Sequence, residues 1–463
     1  MVPYSRISYR CACVLLWCLA SLGGPLAQPQ QATLSGSVLD EAGRPLWARV
    51  TVGPTAEEAL AVGFTDEDGR FGLPSPPGKV VVTASRGPEW EPQEAVLDLP
   101  PGGARCQLRL RRLVDMAGLG WYGGDGHMHS THSDGEHPPE VVARAARCEG
   151  LSWAVLTDHN SLAGGQEWLS QRAADFLPIL GEEISTDLGH LVAWGLSELV
   201  DWRVQRPEGL RGVFEAVHRQ GALLFLAHPV MPTASKYQGW DVEGYDGLEV
   251  FNAALPPYGG IFDLLQARKR WYRLLSEGRR VVGVANSDCH DPYKRVVREA
   301  LADLDAAKEK YPQVALGLAF GGPQALPYAR RSYYLGSARN YVQASQLSQQ
   351  AILAAVRQQR MFVTTGPLIL ATLEGQHPGT EIKLTATRQG QRGRLEYRAV
   401  SNQDLEKLVV VMDGEPRATV DLTGEREASG ELLLDLAGAR WATVECYGQW
   451  PGVAVTNPWY MAP

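Results

Sequence analysis

The middle of this sequence, residues 116–365, alternates between amphipathic helical segments and short apolar strands, and this alternation restricts the fold more than any other feature. The helical patterns end near glycine, as helices commonly do, and cover 138–150, 208–221 and 262–279. An apolar strand follows each of them, at 152–159, 222–229 and 281–290. Repeated helix-then-strand units predict a parallel α/β sheet or barrel, in which active sites lie at the carboxyl ends of the strands.

Six of the ten histidines and three carboxylates occupy short motifs at or just beyond such strand ends. These nine candidate ligands are His127, His129, Asp134, His159, Glu183, His190, His228, Asp288 and His290. A single His-x-His pair such as His127 and His129 is weak evidence, although an extended segment places both rings on one face. Structural histidines have no reason to gather at the ends of successive strands, so the whole set predicts one metal site.

Imidazole and carboxylate ligands without thiolate suit Zn, Mn or Fe. One ion with four to six bonds cannot use nine ligands, so we expect two or three divalent transition-metal ions. Bridging carboxylate and hydroxide must then lie between the ions, since the cations repel one another. Such ions lower the pKa of a bound water toward ~7, which predicts a hydroxide nucleophile at neutral pH.

The motifs DGHMHSTHSDG, LTDHN, GEEISTDLGH, LAHP and NSDCH resemble those of the PHP (polymerase and histidinol phosphatase) superfamily. Within it, the chain is most similar to the secreted, carbaryl-hydrolase-like metallohydrolases, and the resemblance runs from about Trp121 to Gly366. It implies a distorted (β/α) barrel with a trinuclear site. Some members have His where this chain has Asp134, which bears on metal preference.

The resemblance also implies a ligand set for each ion. The first ion would be held by His127, His129, Glu183 and Asp288. Glu183 would bridge to a second ion, held also by His190 and His228. The third would be held by Asp134, His159 and His290. The catalytic residues implied are Glu183, Asp288 and His290. Glu182 competes for the bridge, but the Gly-x-Glu-Ile spacing of the family favours Glu183.

Both flanks of the central region read as all-β. Residues 28–115 carry short alternating segments broken by Gly, Pro and Asp-Gly turns, and resemble a carboxypeptidase-regulatory-like, transthyretin-like sandwich. Residues 366–463 repeat this character and predict a second sandwich. The expected fold class is therefore α/β, with a PHP-type distorted (β/α) barrel over 116–365 flanked by two β-sandwich domains.

Five further polar residues can each be interpreted in two ways. Asp125 and Asp158 either orient a ligand imidazole or serve as turn residues. Glu249 ends another strand, where placement at the rim is expected and a direct catalytic role is the alternative. Arg339 and Tyr341 either contact a substrate anion or form a structural interaction.

Residues 1–27 have the layout of a secretory signal peptide: Arg6 and Arg10, an apolar run from Cys11 to Leu22, then small residues ending at Ala27. We expect cleavage near Ala27 and export to the periplasm or beyond, with an uncleaved anchor as the alternative. The apolar run of about 12 residues is short for a span of ~20, so no stable membrane span is expected after cleavage.

The charge balance and the cysteines exclude some classes. The chain has 44 basic and 52 acidic residues, a net charge of −8, and loss of two arginines with the signal gives −10. Duplex nucleic acid is therefore an unlikely partner. Four cysteines remain after residue 27, without a CxxC pair, which indicates neither a disulfide framework nor a structural zinc.

The leading functional hypothesis is a metal-dependent hydrolase of a small-molecule ester, with a phosphoester as the substrate that the resemblance implies. The alternatives are a carboxylester or aryl carbamate hydrolase and, in a different class, a non-catalytic cell-envelope binding module. A domain that had lost catalytic activity should also have lost some metal ligands, and all nine are present in the sequence. The sequence does not specify the oligomeric state.

Overall fold

The computed structural model describes residues 32–56, 58–231, 236–253, 260–294, 334–383, 391–449 and 451–462. The predicted signal peptide lies outside these ranges. Among the residues described, no helix combines the length and the apolar character that crossing a bilayer requires.

The N-terminal region consists of eight strands in two four-stranded sheets. The strands are β1 (Ala32–Asp40), β2 (Arg49–Gly53), β3 (Ala61–Phe64), β4 (Arg70–Ser75), β5 (Gly78–Ser85), β6 (Trp90–Glu91), β7 (Gln93–Leu99) and β8 (Ala104–Arg112). Their orders are β4-β1-β8-β6 and β3-β2-β5-β7. Burial alternates along β4, as the sequence pattern predicts, and both sheets contribute to one apolar core that includes Leu34, Val50 and Val82.

The central region contains the strands that carry the candidate ligands. Its elements are β9 (Trp121–Asp125), α1 (Pro139–Cys148), β10 (Trp153–Leu156), α2 (Gly165–Leu169), β11 (Leu177–Thr186), β12 (Gly189–Trp194), α3 (Leu210–His218), β13 (Leu223–Leu226), β14 (Gly247–Asn252), α4 (Gly260–Ser276), β15 (Val282–Asn286), β16 (Arg339–Gln343), α5 (Gln349–Arg357) and β17 (Met361–Thr364). Short 3-10 helices lie at Ala117–Leu119 and Pro207–Gly209.

The central sheet is mixed, whereas the helix-strand alternation predicted a parallel one. Its order is β15-β14-β13-β12-β11-β10-β9-β16-β17. β9, β10 and β11 are parallel, as are β13, β14 and β15, but β12 is antiparallel to both of its neighbours. The direction of β12 is set by a tight turn at Asp187 and Leu188, which joins β11 to β12 as a hairpin instead of a helical crossover. β16 is likewise antiparallel to both of its neighbours, β9 and β17.

The two ends of the ligand-bearing strand set meet beyond β9 and β15. The Asp288 amide donates to the His127 carbonyl at 2.8 Å, and the His129 amide donates to the Cys289 carbonyl at 2.9 Å. β10, β13 and β15 are buried along their whole length, which explains their continuous apolar sequences. The sheet therefore curves so that the segments after β9 and β15 lie side by side at one rim.

The C-terminal region adds nine strands. They are β18 (Leu368–Leu373), β19 (Glu381–Lys383), β20 (Arg392–Val400), β21 (Leu405–Met412), β22 (Glu415–Asp421), β23 (Glu427–Asp435), β24 (Trp441–Gly448), β25 (Val453–Thr456) and β26 (Trp459–Ala462). β18, β20 and β23 form a separate sheet, while β25 pairs with β17 and extends the central sheet into this region. The predicted boundary at residue 366 lies in the connection between β17 and β18, and the central sheet continues into the C-terminal region through β25.

Candidate metal centre

All nine candidate ligands lie at one rim of the central sheet. His127 and His129 follow β9, His159 follows β10, and Asp288 and His290 follow β15. The other four are Asp134 in the loop after β9, Glu183 in β11, His190 in β12 and His228 after β13. His190 is near the start of its strand, but because β12 is antiparallel, that start lies at the same rim as the carboxyl ends of its neighbours.

One oxygen of Glu183 faces two histidines. Glu183 Oε1 is 2.8 Å from His190 Nδ1 and 3.0 Å from His228 Nε2. The Glu183 side chain is 1% exposed, so these contacts are made away from bulk water. An ion at this position would have one carboxylate oxygen and two imidazoles within reach.

The other oxygen of Glu183 faces a second group. Glu183 Oε2 is 3.1 Å from His127 Nε2, 3.2 Å from His129 Nε2 and 3.0 Å from His159 Nδ1. Asp288 Oδ1 completes this group, at 3.2 Å from His127 Nε2 and 3.0 Å from His129 Nε2. The two oxygens of one carboxylate therefore point at two different sets of ligands, which is the arrangement a bridging carboxylate needs.

The third group lies at the surface. Asp134 Oδ2 is 3.3 Å from His290 Nε2 and 3.6 Å from His159 Nε2, and Asp134 Oδ1 is 3.6 Å from His129 Nδ1. The Asp134 side chain is 56% exposed, whereas His129 is fully buried. This end of the site is the most exposed one, since the His190 side chain is 22% exposed and Glu183 1%.

The donor atoms fit metal ions. Three sets place one ligand atom per residue within 4.8 Å of one another: His129, Asp134, His159 and His290; His127, His129, Glu183 and Asp288; and His159, Glu183 and His190. In the described part of the chain, His127 Nε2 and Glu183 Oε2 are buried without a hydrogen-bond partner. Buried polar atoms are rarely left unsatisfied, and a cation between them would satisfy both.

Electrostatics keep the carboxylates ionised. Burial by itself raises the pKa of Glu183, but the imidazoles of His127 and His190 outweigh it and hold that pKa well below its ordinary value. Burial lowers the pKa of His127, but the carboxylates of Asp288 and Glu183 outweigh it and raise that pKa well above its ordinary value. The cluster thus offers anionic oxygens that attract positive charge, whether protons or metal ions.

Two candidate ligands have a left-handed backbone. His228 has φ 29° and Asp288 has φ 52°. Residues other than glycine rarely adopt these angles, which cost roughly 1–3 kcal/mol each and concentrate at functional sites. The surrounding hydrogen bonds hold both residues where their side chains enter the cluster.

Asp125 and Asp158 organise backbone near the ligands. Asp125 accepts hydrogen bonds from the amides of His127, Ser287 and Gly336, and burial raises its pKa to about 6. Asp158 accepts bonds from the Ser130 amide and hydroxyl and from the Ser133 hydroxyl. Neither carboxylate is seen to bond to a ligand ring, and most of their bonds join segments far apart in sequence, so both side chains tie the ligand-bearing loops to neighbouring segments.

Arg339 and Tyr341 are structural. Arg339 is buried and donates to the carbonyls of Gly336 and Glu149, and the Tyr341 hydroxyl donates to Glu89. The Arg339 bonds stay within the central region, and the Tyr341 bond connects that region to the N-terminal one. The reading of these two residues as contacts for a substrate anion is therefore set aside.

Glu182 points away from the cluster. Its Oε2 accepts a hydrogen bond from the Val200 amide at 3.0 Å, and burial raises its pKa to about 7. Neighbouring residues in a strand face opposite sides, so only Glu183 of this pair enters the ligand groups. Five histidines belong to none of the three sets: His132, His137, His218, His377 and the candidate ligand His228, whose Nε2 nevertheless lies 3.0 Å from Glu183 Oε1.

Two side chains outside the nine hold ligand rings in place. The Ser185 hydroxyl is 2.6 Å from His159 Nδ1, and Glu249 Oε1 is 2.9 Å from His127 Nδ1. Asn286 contacts Glu249 in turn. The sequence predicts that Glu249 lies at the rim, but not that it contacts the ring of His127. Ser185 lies two residues after Glu183 on the same face of β11, which is the one signal that pointed to it.

Comparisons with known proteins give partial similarities. No family model matches the sequence. An uncharacterized protein of Methanocaldococcus jannaschii is 28% identical over 145 residues, which cover 28% of this chain and 81% of that relative. A two-domain protein from Bacteroides vulgatus, described as containing a predicted PHP-like metal-dependent phosphoesterase, gives a TM-score of 0.39 at 19% identity, covering 70% of this chain and 91% of that one.

Two further solved structures cover a smaller part of the chain. A putative metal-dependent phosphoesterase from Bifidobacterium adolescentis gives a TM-score of 0.29 at 18% identity, over 36% of this chain and 87% of that one. An amidohydrolase from Chromobacterium violaceum gives 0.26 at 16% identity, over 36% of this chain and 88% of that one.

Proposed function

We propose that this protein is a metal-dependent hydrolase of ester-type bonds, with phosphoesters as substrates and two or three divalent ions at the rim of the central sheet. The observation that carries the proposal is the position of Glu183, whose two oxygens face separate groups of histidines within 3.2 Å. The motif resemblance to the PHP superfamily supports the same chemistry.

We keep the ligand assignment that the motif resemblance implies. His127, His129 and Asp288 would hold the first ion together with Glu183, and the other oxygen of Glu183 faces His190 and His228, which would hold the second. Asp134, His159 and His290 would hold the third ion. Divalent ions in such a site supply an activated water and neutralise charge on the attacked and departing oxygens.

The protein's own residues provide orientation and access. We call the positions of the first and second ions the inner ion positions. Glu183 would set the distance between them, because one carboxylate faces both. Asp134 and His290 lie at the exposed end, where a substrate oxygen can enter. The strained backbone at Asp288 fixes its carboxylate between the rings of His127 and His129.

The preference for phosphoesters rests on the motif resemblance, and the charges of the site are compatible with it. In the part of the chain that the structure describes, the salt bridges of Asp134, Glu183 and Asp288 are all with histidine and none is with arginine or lysine. Bound divalent ions are therefore the charge that would stabilise a phosphoryl transition state.

The test is a substrate panel with metal-reconstituted protein. Aryl phosphate, phosphodiester, carboxylester and aryl carbamate are compared at equal concentration, before and after chelation. We expect hydrolysis of a phosphoester that chelation abolishes and metal restores. Hydrolysis of the carboxylester or carbamate alone would replace the proposed substrate class, and inactivity on all four with a full metal complement would favour a binding role.

We propose in addition that the protein is exported and that its mature form begins near Gln28. The charged, apolar and small-residue succession of residues 1–27 supports this. Mass spectrometry of protein recovered outside the cytoplasm tests it. A soluble species that retains Met1 would contradict it.

A further inference from the structure

Glu249 is a buried carboxylate that the proposed chemistry does not use, and both of its oxygens are fully occupied. Oε1 is 2.9 Å from His127 Nδ1 and accepts from Asn286 Nδ2 at 2.8 Å. Oε2 accepts from the His228 amide at 2.7 Å and from Asn252 Nδ2 at 2.6 Å. The other three groups that face the carboxylate can only donate, so it acts purely as an acceptor.

Backbone groups fix which atom of the Asn286 side chain faces Glu249, and they do so through a second asparagine, Asn340. The Ala285 amide donates to Asn340 Oδ1 at 2.9 Å, and Asn340 Nδ2 donates to the Ala285 carbonyl at 2.6 Å, which fixes the orientation of that side-chain amide. Asn340 Nδ2 also donates to Asn286 Oδ1 at 3.0 Å, and the Gly126 amide donates to the same oxygen at 2.8 Å. Asn286 must therefore present its Nδ2 to Glu249.

This chain of bonds leaves one role for His127. Because Glu249 Oε1 accepts, His127 Nδ1 must carry a hydrogen, so a cation that displaces a proton from this ring would do so at Nε2 and find the lone pair there. His127 Nε2 is the atom that faces Glu183 Oε2 at 3.1 Å and Asp288 Oδ1 at 3.2 Å. The ring is thus prepared to bind an ion through Nε2.

We propose that Glu249 is a positioning residue, and that the hydrogen-bond chain Asn340–Asn286–Glu249 selects the metal-binding tautomer of His127. The proposal rests on the proposed metal centre. The same carboxylate holds the backbone amide of His228 at its φ of 29°, so one buried side chain orders ligands of both inner ion positions.

The test exchanges the donor and the acceptor of the hydrogen bond between Asn286 and Glu249. Glu249→Gln must keep its oxygen toward the His228 amide, so its new amide group faces the Asn286 amide, donor against donor. Asn286→Asp alone sets a carboxylate against Glu249, acceptor against acceptor. The double variant Glu249→Gln with Asn286→Asp satisfies every bond again and keeps the net charge, but it presents a donor to His127 Nδ1.

The double variant separates direction from packing. We expect each single variant to lower the melting temperature of the zinc-free protein, and the double variant to recover most of that loss. Zinc affinity, measured by competition with a chelator, should fall about 10–100-fold in the single variants and stay low in the double variant. Nitrogen-15 spectra of zinc-loaded wild type, assigned with a His127→Asn variant, should show the ring hydrogen on Nδ1.

Asn457→Asp is the matched control. Asn457 is a buried asparagine that bonds the amide and carbonyl of Gly283 as Asn340 bonds those of Ala285, but it contacts no candidate ligand. The Asn457→Asp variant should have a lower melting temperature than wild type and the same zinc affinity. Recovery of zinc affinity in the double variant, or a ring hydrogen on Nε2 in wild type, would overturn the proposal. Failure of wild type to bind zinc would instead overturn the proposed metal centre.

Discussion

Glu183 is the side chain on which the site depends most, because its two oxygens face two sets of histidines. Glu183→Gln keeps the shape but removes the negative charge that allows two cations to sit close together. We expect it to lose two ions together and to lower hydrolysis by several orders of magnitude, with the fold retained. Elemental analysis and activity after reconstitution measure both effects.

Glu182→Gln is the internal control for that variant. Glu182 bonds to the Val200 amide on the other face of the strand, so its replacement should leave metal content and activity near normal. An inactive, metal-poor Glu182→Gln beside a normal Glu183→Gln would show that the register of this strand is wrong. Full activity of both variants would contradict the bridged arrangement.

Asp134 tests the outer end of the site. Its side chain is half-exposed, with one oxygen toward His159 and His290. Its other oxygen is 3.6 Å from Nδ1 of His129, whereas Nε2 is the nitrogen of that ring that faces Glu183. Asp134→Asn should therefore lower the affinity for one ion and leave the other two in place. Metal content of the variant at limiting zinc should fall by about one ion per chain, against about two for Glu183→Gln. Equal losses in the two variants would contradict separate inner and outer positions.

At the residue scale, motif spacing and residue chemistry are local properties, so the sequence alone suggests the nine side chains that the fold brings to one rim. The sequence does not predict the hydrogen-bond network behind His127. Asn286 and Asn340 are 54 residues apart, and their roles depend on which atom of each amide faces which neighbour. Hydrogen-bond direction of this kind is a property of the folded structure.

At the element scale, a close approach between β9 and β12 positions His127. A Cβ added at Gly126 would lie 1.9 Å from the Trp194 ring, whose Nε1 donates to the Gly126 carbonyl. Gly126→Ala should lower the free energy of unfolding by about 1–3 kcal/mol and weaken zinc binding, because a rigid ring must move. Chemical denaturation and zinc titration check this.

Gly72→Ala is the matched control, since a Cβ added at Gly72, in β4, meets no atom within 4 Å. It should leave zinc binding unchanged. If Gly126→Ala and Gly72→Ala behaved alike, the contact with Trp194 would not position the ligand.

Strand and helix positions followed from the sequence because periodicity and glycine signals are local. The direction of β12 did not. An apolar strand has the same pattern in either direction, and the two-residue turn at Asp187 and Leu188 lacks the Asn-Gly or Asp-Gly pair that marks a hairpin. The continuity of the central sheet from β17 to β25 joins residues about 90 apart in sequence and leaves no local signal either.

At the scale of the whole molecule, the N-terminal sheets pack against the loops that carry the ligands. Val62 and Phe64 of β3 share a core with Met128, which separates His127 from His129, and with Cys289, which separates Asp288 from His290. The Phe64 ring lies 5.0 Å from that of Tyr293. The N-terminal region is therefore part of the support of the site.

Phe64→Ala tests this support. It should lower the free energy of unfolding by about 3–5 kcal/mol, as expected for a buried Phe, and weaken zinc binding as the two ligand loops relax. Val96→Ala, at a position that is 61% exposed in β7, is the control and should change neither. Zinc affinity of wild-type strength in Phe64→Ala would contradict a supporting role for the N-terminal sheets.

The central claim is that nine side chains from separate segments form one centre for several ions. Elemental analysis of purified protein, stripped with chelator and reloaded with zinc or manganese, tests it most directly. We predict two or three ions per chain, and hydrolytic activity that rises with occupancy. Less than about one ion per chain after reloading would contradict the account.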